Sequence, residues 1–175
     1  MADSLKGNLL IAAPSLFDYF RRAVVLVLDH SDEGAMGVVL NRTSETPVAD
    51  AVPVLAGLAD HDELVHVGGP VAPEAVVALG DFEDPAEAGA PVMGSLGLLD
   101  PDRADASLRR LRVYAGYAGW GPGQLEGELE EKAWIVEPAT AEDPFEDGDM
   151  WSAALERKGG AFALLATMPS DPSLN

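Results

Sequence analysis

The sequence predicts an α+β fold: one compact domain in which a mixed, largely antiparallel sheet is flanked by a few helices. The chain has 175 residues, of which 47% are hydrophobic and 23% are charged, so it can form a buried core without disulfides or a structural metal. Apolar runs of strand length outnumber helical patterns and do not alternate regularly with them, which argues against a doubly wound parallel sheet. No repeat and no long linker divides the chain, so residues 1–175 are expected to form a single domain.

Strands make up most of the predicted elements, each being an apolar run that ends at turn residues. In the first half of the chain, strands are predicted at residues 5–13, 23–28, 37–40 and 64–67. The continuous apolar run at 23–28 is typical of a strand buried on both faces, and the turn at 30–34 should join it to 37–40 as a hairpin. In the second half, strands are predicted at residues 74–79, 91–99, 111–117, 134–137 and 162–165.

Outside residues 113–132, three segments carry signals for helices. The Thr-Pro pair at 46–47 is typical of a cap and a first helical residue, and predicts a short helix that reaches about residue 58 with a break at Pro53. The Asp-Pro pair at 100–101 gives the same signal for a helix over residues 100–110. A third helix is predicted at Met150–Lys158.

The segment 113–132 is the most informative part of the chain, because an apolar strand leads through a glycine-rich elbow into an amphipathic helix. Trp120 is surrounded by residues that tolerate positive φ and close backbone approach, namely Gly116, Gly119, Gly121 and Gly123. Pro122 suits the first helical position, and Gln124 could return its side chain to the backbone at the cap. Glu128 and Lys132, one helical turn apart, are expected to form an ion pair.

The charge balance excludes several classes of function. Thirty acidic residues against eleven lysines and arginines give a net charge of −19, which repels phosphate backbones, so no direct nucleic-acid binding is expected. The absence of cysteine excludes disulfides and thiolate metal sites. The sequence shows neither a secretory signal pattern nor an apolar run near the roughly 18 residues that a membrane span requires. We therefore expect a cytoplasmic protein without membrane association.

No motif identifies a catalytic residue, a metal site or a cofactor. The glycine-rich segment 119–126 lacks the final glycine of a dinucleotide-binding fingerprint. Ser95 lies in a turn that has methionine where the hydrolase elbow requires its first glycine. His61 and His66 are five residues apart, a spacing that does not place two ligands on one helical face. The segment 143–154 imitates a calcium loop but ends in alanine instead of the bidentate glutamate, so it is interpreted as a solvated acidic loop.

Two loops that follow predicted strands are candidates for binding, because loops at strand ends carry function more often than the strands themselves. They are Asn41-Arg42 and Gly68-Gly69-Pro70, and they are expected to converge on one face with the elbow around Trp120. The candidate ligand- or partner-binding residues are Asn41, Arg42, Gly68, Gly69, Pro70, Tyr117, Trp120, Gln124 and Glu126. The structural alternative is that these loops are turns, that Trp120 is buried in the core, and that Arg42 pairs with Glu126 or another acid.

Five motifs in this order resemble the YqgE/AlgH family of bacterial proteins. They are L-L-I-A-A-P, F-R-R-A-V-V-L, H-S-D-E-G-A-M-G-V-V-L-N-R, G-G-P-V and G-Y-A-G-W-G-P-G-Q-L-E-G-E, and together they cover nearly the whole chain. The resemblance implies a single α+β domain, no securely assigned activity, and a regulatory role of the kind proposed for alginate production, with transcriptional regulation as one candidate function. Two positions depart from the family pattern: Thr43 stands where proline is usual, and Gly80 falls near a position where members often have histidine.

The first functional hypothesis is a non-enzymatic cytosolic protein with a regulatory or partner-binding role that uses the surface around Trp120. It is favoured because the sequence shows no poised nucleophile and base and no cluster of metal ligands. The alternative is a small-molecule-binding protein or cryptic enzyme whose pocket gathers Asn41, Arg42, Tyr117 and Gln124. The residues identify neither the partner nor the ligand, and they leave the oligomeric state open.

Overall fold

The computed structural model describes residues 4–16, 18–58, 62–100 and 107–167, and a ten-stranded sheet dominates this part of the chain. The strands are β1 Asn8–Ala12, β2 Val24–Ser31, β3 Gly34–Val39, β4 Thr43–Pro47, β5 Leu64–Val67, β6 Val71–Phe82, β7 Ala90–Met93, β8 Leu96–Leu98, β9 Leu108–Trp120 and β10 Trp134–Pro138. The main strand order is β10-β1-β2-β3-β9-β6-β8-β7, with β4 and β5 attached beside β9. Among the described strands only β5 and β9 pair in parallel. The predicted α+β class with a largely antiparallel sheet is confirmed, although the sheet outweighs the helices.

The helices are few and short. They are α1 Val48–Ala51, α2 Gln124–Glu130, α3 Met150–Lys158 and α4 Ala161–Leu165, with 3-10 turns at Pro53–Leu55, Pro85–Glu87 and Asp143–Phe145. α3 has the bounds that the sequence predicts, because Asp149 caps it through the Ser152 N–H and two basic residues end it. None of the helices in the described residues has the length and apolar character that crossing a bilayer requires.

Side chains alternate between the two faces of the central strands, so one continuous apolar run contributes to two core layers. In β2, Val24 and Leu26 face the layer that α3 and α4 cover, whereas Val25 and Val27 face the layer that α2 covers. A third cluster, which includes Phe82, packs against α1 at the other end of the sheet. The predictions that β2 is buried on both faces and forms a hairpin with β3 are confirmed.

β9 connects the two halves of the sheet. It pairs with β6 over most of its length, with β5 near its centre, and with β3 through its last residues. After β5, the backbones approach so closely that a Cβ atom on Gly68 or Gly69 would collide with the backbone of Gly116 or Tyr117. Gly116 also has φ +75°, a left-handed conformation that favours glycine. These glycines therefore permit a close crossing of two strands inside the sheet.

Four predicted elements differ from the structure, the first being the strand predicted at 91–99, which is two antiparallel strands, β7 and β8, joined by a turn. The short helix predicted from residues 46–47 is present as α1 but begins at Val48, because residues 46–47 end β4, where Pro47 pairs with Leu64 of β5; the predicted break at Pro53 is confirmed. Of the helix predicted at 100–110, residues 101–106 lie outside the described part of the chain, and residues from 108 onward belong to β9. The strand predicted at 162–165 is helix α4, because so short an apolar run has no period that separates strand from helix.

Candidate functional site

The predicted binding residues lie in separate regions of the sheet. Trp120 pairs with Ala35 at the start of β3, whereas Asn41 follows the opposite end of that strand. Ala35 and Asn41 are six positions apart, which corresponds to roughly 20 Å of extended chain. Gly68 and Gly69 lie between the two ends, against β9. The structure therefore does not bring the Asn41-Arg42 loop and the Trp120 elbow into one pocket, and ligand binding by these residues stays a prediction.

Asn41 and Arg42 fix the loop that connects β1 to β2. Asn41 Oδ1 accepts the Val24 N–H at 3.0 Å, and Asn41 Nδ2 donates to a carbonyl of the loop at 2.9 Å. Arg42 donates to another loop carbonyl at 3.1 Å, and its guanidinium carbon lies 4.6 Å from the centre of the Tyr19 ring. Arg42 makes no ion pair with Glu126 in the described structure. Both side chains therefore have structural partners.

The turn after β5 presents little surface to a ligand. Gly68 and Gly69 are buried against β9, and Pro70 is the exposed member of the turn. Tyr117 is half-buried and packs against the core layer that contains Tyr114. The close backbone approach at Gly68 and Gly69 is made to the protein's own strand β9, and an approach to a partner stays a prediction.

Trp120 is a core residue, 6% exposed. Its ring stacks on Phe20 at a centroid distance of 6.3 Å and meets the edge of Trp134 at 6.0 Å. Glu128 Oε1 accepts the indole N–H of Trp120 at 3.0 Å and that of Trp134 at 2.8 Å. The structural alternative for Trp120 is therefore correct, and the surface around it lacks the aromatic anchor that the first hypothesis required.

The side chains at the start of α2 also hold the fold. Gln124 Oε1 accepts the Gly121 N–H at 3.0 Å, which confirms the predicted return to the cap, although the helix begins at Gln124 itself. Gln124 Nε2 donates to Glu128 Oε2 at 3.0 Å, and Glu128 makes no ion pair with Lys132 in the described structure. Glu126 Oε1 lies 3.5 Å from His30 Nε2. His30 Nδ1 accepts a backbone N–H at 2.9 Å, so its proton is on Nε2 and faces Glu126.

Ser95 is not poised as a nucleophile. Its hydroxyl donates to Asp81 Oδ1 at 2.6 Å, and Asp81 is 3% exposed. Burial raises the pKa of Asp81, but hydrogen bonds from Ser95 and Arg110 and the charges of Arg110 and Arg109 outweigh it and hold the pKa below its usual value. A carboxylate with a lowered pKa is a weak base, so Asp81 does not activate the Ser95 hydroxyl.

Both ring nitrogens of His66 also have protein partners. Its Nε2 accepts from Arg112 Nη1 at 3.1 Å, which leaves the ring proton on Nδ1, near the Leu64 carbonyl at 3.4 Å. Burial and the charge of Arg112 lower the pKa of His66 to about 4, so the ring is neutral at pH 7. The described residues contain no group of three or more acidic or histidine side chains arranged to hold a metal ion, and His61 lies outside them.

A cleft that sequence analysis does not predict lies between the sheet and the loop that leads into α3. This loop cleft has a volume of about 230 Å³ and is lined by Leu9, Val24, Leu40, Asp143, Glu146, Asp147, Met150, Ala153, Ala154 and Arg157. Buried apolar side chains of β1, β2 and the residue after β3 form its floor, and carboxylates form its rim. Asp143 pairs with Arg157 at 2.7 Å, whereas Glu146 and Asp147 make no ion pair within the described residues. The sequence signal was weak, because the acidic residues at positions 143, 146, 147 and 149 give this segment the character of a solvated loop.

The sequence profile of the AlgH-like family matches residues 9–163. The chain belongs to the AlgH-like family. A UPF0301 protein from Streptomyces coelicolor is 46% identical over 186 residues, which cover 98% of this chain and 96% of the relative. A UPF0301 protein from Mycobacterium tuberculosis is 40% identical over 181 residues, which cover 97% of this chain and 90% of the relative. The resemblance drawn from the five sequence motifs is thus confirmed.

Two solved structures share the fold of this AlgH-like protein. A crystal structure of a protein from Corynebacterium diphtheriae superposes with a TM-score of 0.85 at 28% identity, covering 96% of this chain and 94% of that one. The solution structure of the AlgH protein from Pseudomonas aeruginosa gives a TM-score of 0.73 at 29% identity, covering 97% and 96%. The names of these AlgH-like relatives state no ligand or reaction, so function must be argued from the clefts and side chains of this chain.

Proposed function

We propose that this AlgH-like protein is a non-enzymatic, cytoplasmic binding protein with a regulatory role, and that the loop cleft holds its small-molecule ligand. The observation that carries the proposal is a concave apolar floor beneath two carboxylates, Glu146 and Asp147, that make no ion pair in the described residues. Ligand sites are typically concave and mostly apolar, with a few polar groups that fix orientation. A volume of about 230 Å³ suits a small organic molecule.

The lining of the loop cleft favours a ligand with an apolar body and a cationic group. The floor residues Leu9, Val24 and Leu40 would contact the apolar body, and the rim carboxylates of Glu146 and Asp147 would attract the cation. The net charge of −19 adds to this attraction at long range. The small-molecule hypothesis is therefore kept, but at a different place from the pocket expected near Asn41 and Gln124.

Two further observations support a binding role without catalysis or nucleic-acid contact. The hydroxyl of Ser95 and the ring nitrogens of His66 already have protein partners, so neither is free to act on a substrate. The three neighbouring arginines of β9 also pair with protein carboxylates instead of forming a free basic stripe; they are Arg109, Arg110 and Arg112. This pairing supports the expectation that the protein does not bind nucleic acid directly.

A protein partner is the second candidate, favoured by the edge of β6. β8 pairs with β6 only near its end, and Val71 and Val76 nearer its start are 37% and 45% exposed. Exposed strand edges can pair with an extended segment of another chain. However, the register with β9 shifts between these two valines, and Ala72 has φ +45°, so the edge is irregular where it is most exposed. The loop cleft is therefore the stronger candidate.

Native mass spectrometry of the protein isolated from its producing cells tests the proposal. We expect a bound small molecule with an amine or other cationic group. Ala153→Leu should displace it by filling the cleft, whereas the matched variant Ala51→Leu, on an exposed position of α1, should retain it. Equal retention by both variants would place the ligand elsewhere. A copurified protein that stays with Ala153→Leu would favour the partner hypothesis.

The role of the rim carboxylates can be tested separately with the same ligand. Asp147→Asn removes one rim carboxylate and should weaken binding severalfold, because an uncompensated charge near a cation contributes on the order of 1 kcal/mol. Glu33→Gln removes an equal charge from an exposed turn and should leave the affinity almost unchanged. Equal effects of the two variants would show that only net charge matters, which contradicts a cation bound at the rim.

A further inference from the structure

A second cleft lies on the other side of the turn Asp143–Phe145. This arginine cleft has a volume of about 180 Å³ and is lined by residues 109–112 of β9 together with Leu58, Glu63 and Phe145. The guanidinium carbon of Arg110 lies 4.3 Å from the centre of the Phe145 ring, so the turn packs directly on the arginines. Unlike the loop cleft, its walls are rich in hydrogen-bond donors.

The unusual group beside this cleft is Tyr114. Its side chain is fully buried, and its hydroxyl has no hydrogen-bond partner in the described structure. Buried hydroxyls in native proteins are nearly always bonded, so this one requires an explanation. Burial raises the pKa of Tyr114, which keeps the hydroxyl a neutral donor, and the two charged groups that act on it are Arg112 and Glu63. Both of these residues line the arginine cleft.

Arg112 and Glu63 form the inner wall of the cleft. Arg112 Nε lies 3.0 Å from Glu63 Oε1, and the two side chains are 12% and 19% exposed. Arg112 Nη1 donates to the neutral His66, which fixes the plane of the guanidinium. Arg109 is 53% exposed and lies at the outer wall as a second cation. A guanidinium held in this way is suited to a carboxylate or phosphate, whose oxygens match its donors.

We propose that the arginine cleft binds a small oxyanion, a carboxylate or phosphate group, that replaces the Glu63 carboxylate on Arg112 and accepts the Tyr114 hydroxyl. The ligand would supply the acceptor that Tyr114 lacks. Because Glu63 competes for the same guanidinium, binding is an exchange of one carboxylate for another oxyanion. The arginines are otherwise balanced by Asp81 and Glu142, so the site selects a compact anion and not a polyphosphate chain.

Calorimetric titration with inorganic phosphate and with succinate tests the proposal and distinguishes the two sources of oxyanion. Glu63→Gln removes the internal competitor and should tighten binding of the preferred anion about tenfold. Tyr114→Phe removes the donor and should weaken binding about tenfold, while the melting temperature stays the same or rises. Tyr19→Phe, at an exposed tyrosine, is the matched control and should bind as the unchanged protein does.

Three results would overturn the proposal. If neither anion bound to Glu63→Gln at millimolar concentration, the cleft would have no anion site. If Tyr114→Phe bound the anion as tightly as the unchanged protein, the hydroxyl would not be part of the site. If Tyr114→Phe melted at a markedly lower temperature, the hydroxyl would have a structural partner in the folded protein.

Discussion

Mild acid should destabilise this protein through His66. The side chain is buried, at 5% exposure, and burial, together with the positive charge of Arg112, lowers its pKa from 6.5 to about 4. The Leu64 carbonyl and the charge of Asp147 act in the opposite direction but do not cancel these effects. In the unfolded chain the imidazole regains its ordinary pKa. As the pH falls below 6.5, the unfolded state therefore binds a proton that the folded state does not.

The size of the effect follows from the two pKa values. At 1.36 kcal/mol for each pH unit, the difference between 6.5 and about 4 corresponds to about 3 kcal/mol of unfolding free energy. This stability is fully present above pH 6.5 and is lost as the pH falls, with about 2 kcal/mol gone at pH 5. Asp81 affects stability only at lower pH, because its pKa is lowered in the folded protein and its contribution to the unfolding free energy is lost only as the pH falls below about 4.

Urea unfolding at pH 7 and pH 5 measures this loss. The control is His66→Gln, whose amide oxygen can accept from Arg112 but does not titrate. We expect the unchanged protein to lose about 2 kcal/mol more between the two pH values than the variant does. His30 and His61 are present in both proteins, so their contributions cancel in the difference. An equal loss in the two proteins would refute the account of His66 as a buried neutral histidine.

Three other predictions concern stability. Gly123→Ala should lower the free energy of unfolding by about 1 kcal/mol, because Gly123 has φ +76°, whereas Gly121→Ala should lower it less. Equal denaturant midpoints of the two variants would contradict this prediction. Glu128→Ala should lower the free energy of unfolding by about 3 kcal/mol and alter tryptophan fluorescence, because one carboxylate oxygen of Glu128 accepts two indole N–H groups. The exposed Glu130→Ala is the control, and equal melting temperatures of the two variants would contradict this prediction. Moderate salt should raise the melting temperature, because repulsion from a net charge of −19 is screened over about 8–10 Å; a flat or falling melting temperature would argue otherwise.

The parts of the fold that the sequence predicts correctly depend on local signals. The uninterrupted apolar run of β2 indicates burial on both faces, and the turn after it is short enough to require a hairpin with β3. α3 carries its own capping aspartate and its own basic end, so its bounds are evident without tertiary context. The first residue of α1 and the conformation of residues 162–165 lack such decisive signals, and pairing or packing with distant elements determines them.

The candidate site depends on information that is not local. The strand-end loops were expected to converge, which requires strands that run in one direction; β5 is parallel to β9, but β3 is antiparallel to it. The burial of Trp120 depends on Glu128 and Trp134, which the chain brings back only after α2. The loop cleft combines a floor from the first 40 residues with a rim from residues 143–157, so no window of sequence contains it.

Amide chemical-shift mapping tests the central claim, that the loop cleft holds a ligand, most directly. ¹H–¹⁵N correlation spectra would be compared for the protein carrying its copurified small molecule and for the same protein after removal of that molecule. The account predicts that the largest shift changes lie at the cleft, in particular at Leu9, Leu40 and Asp147. Largest changes at Asn41 or Gln124 instead, or spectra that do not differ, would contradict it.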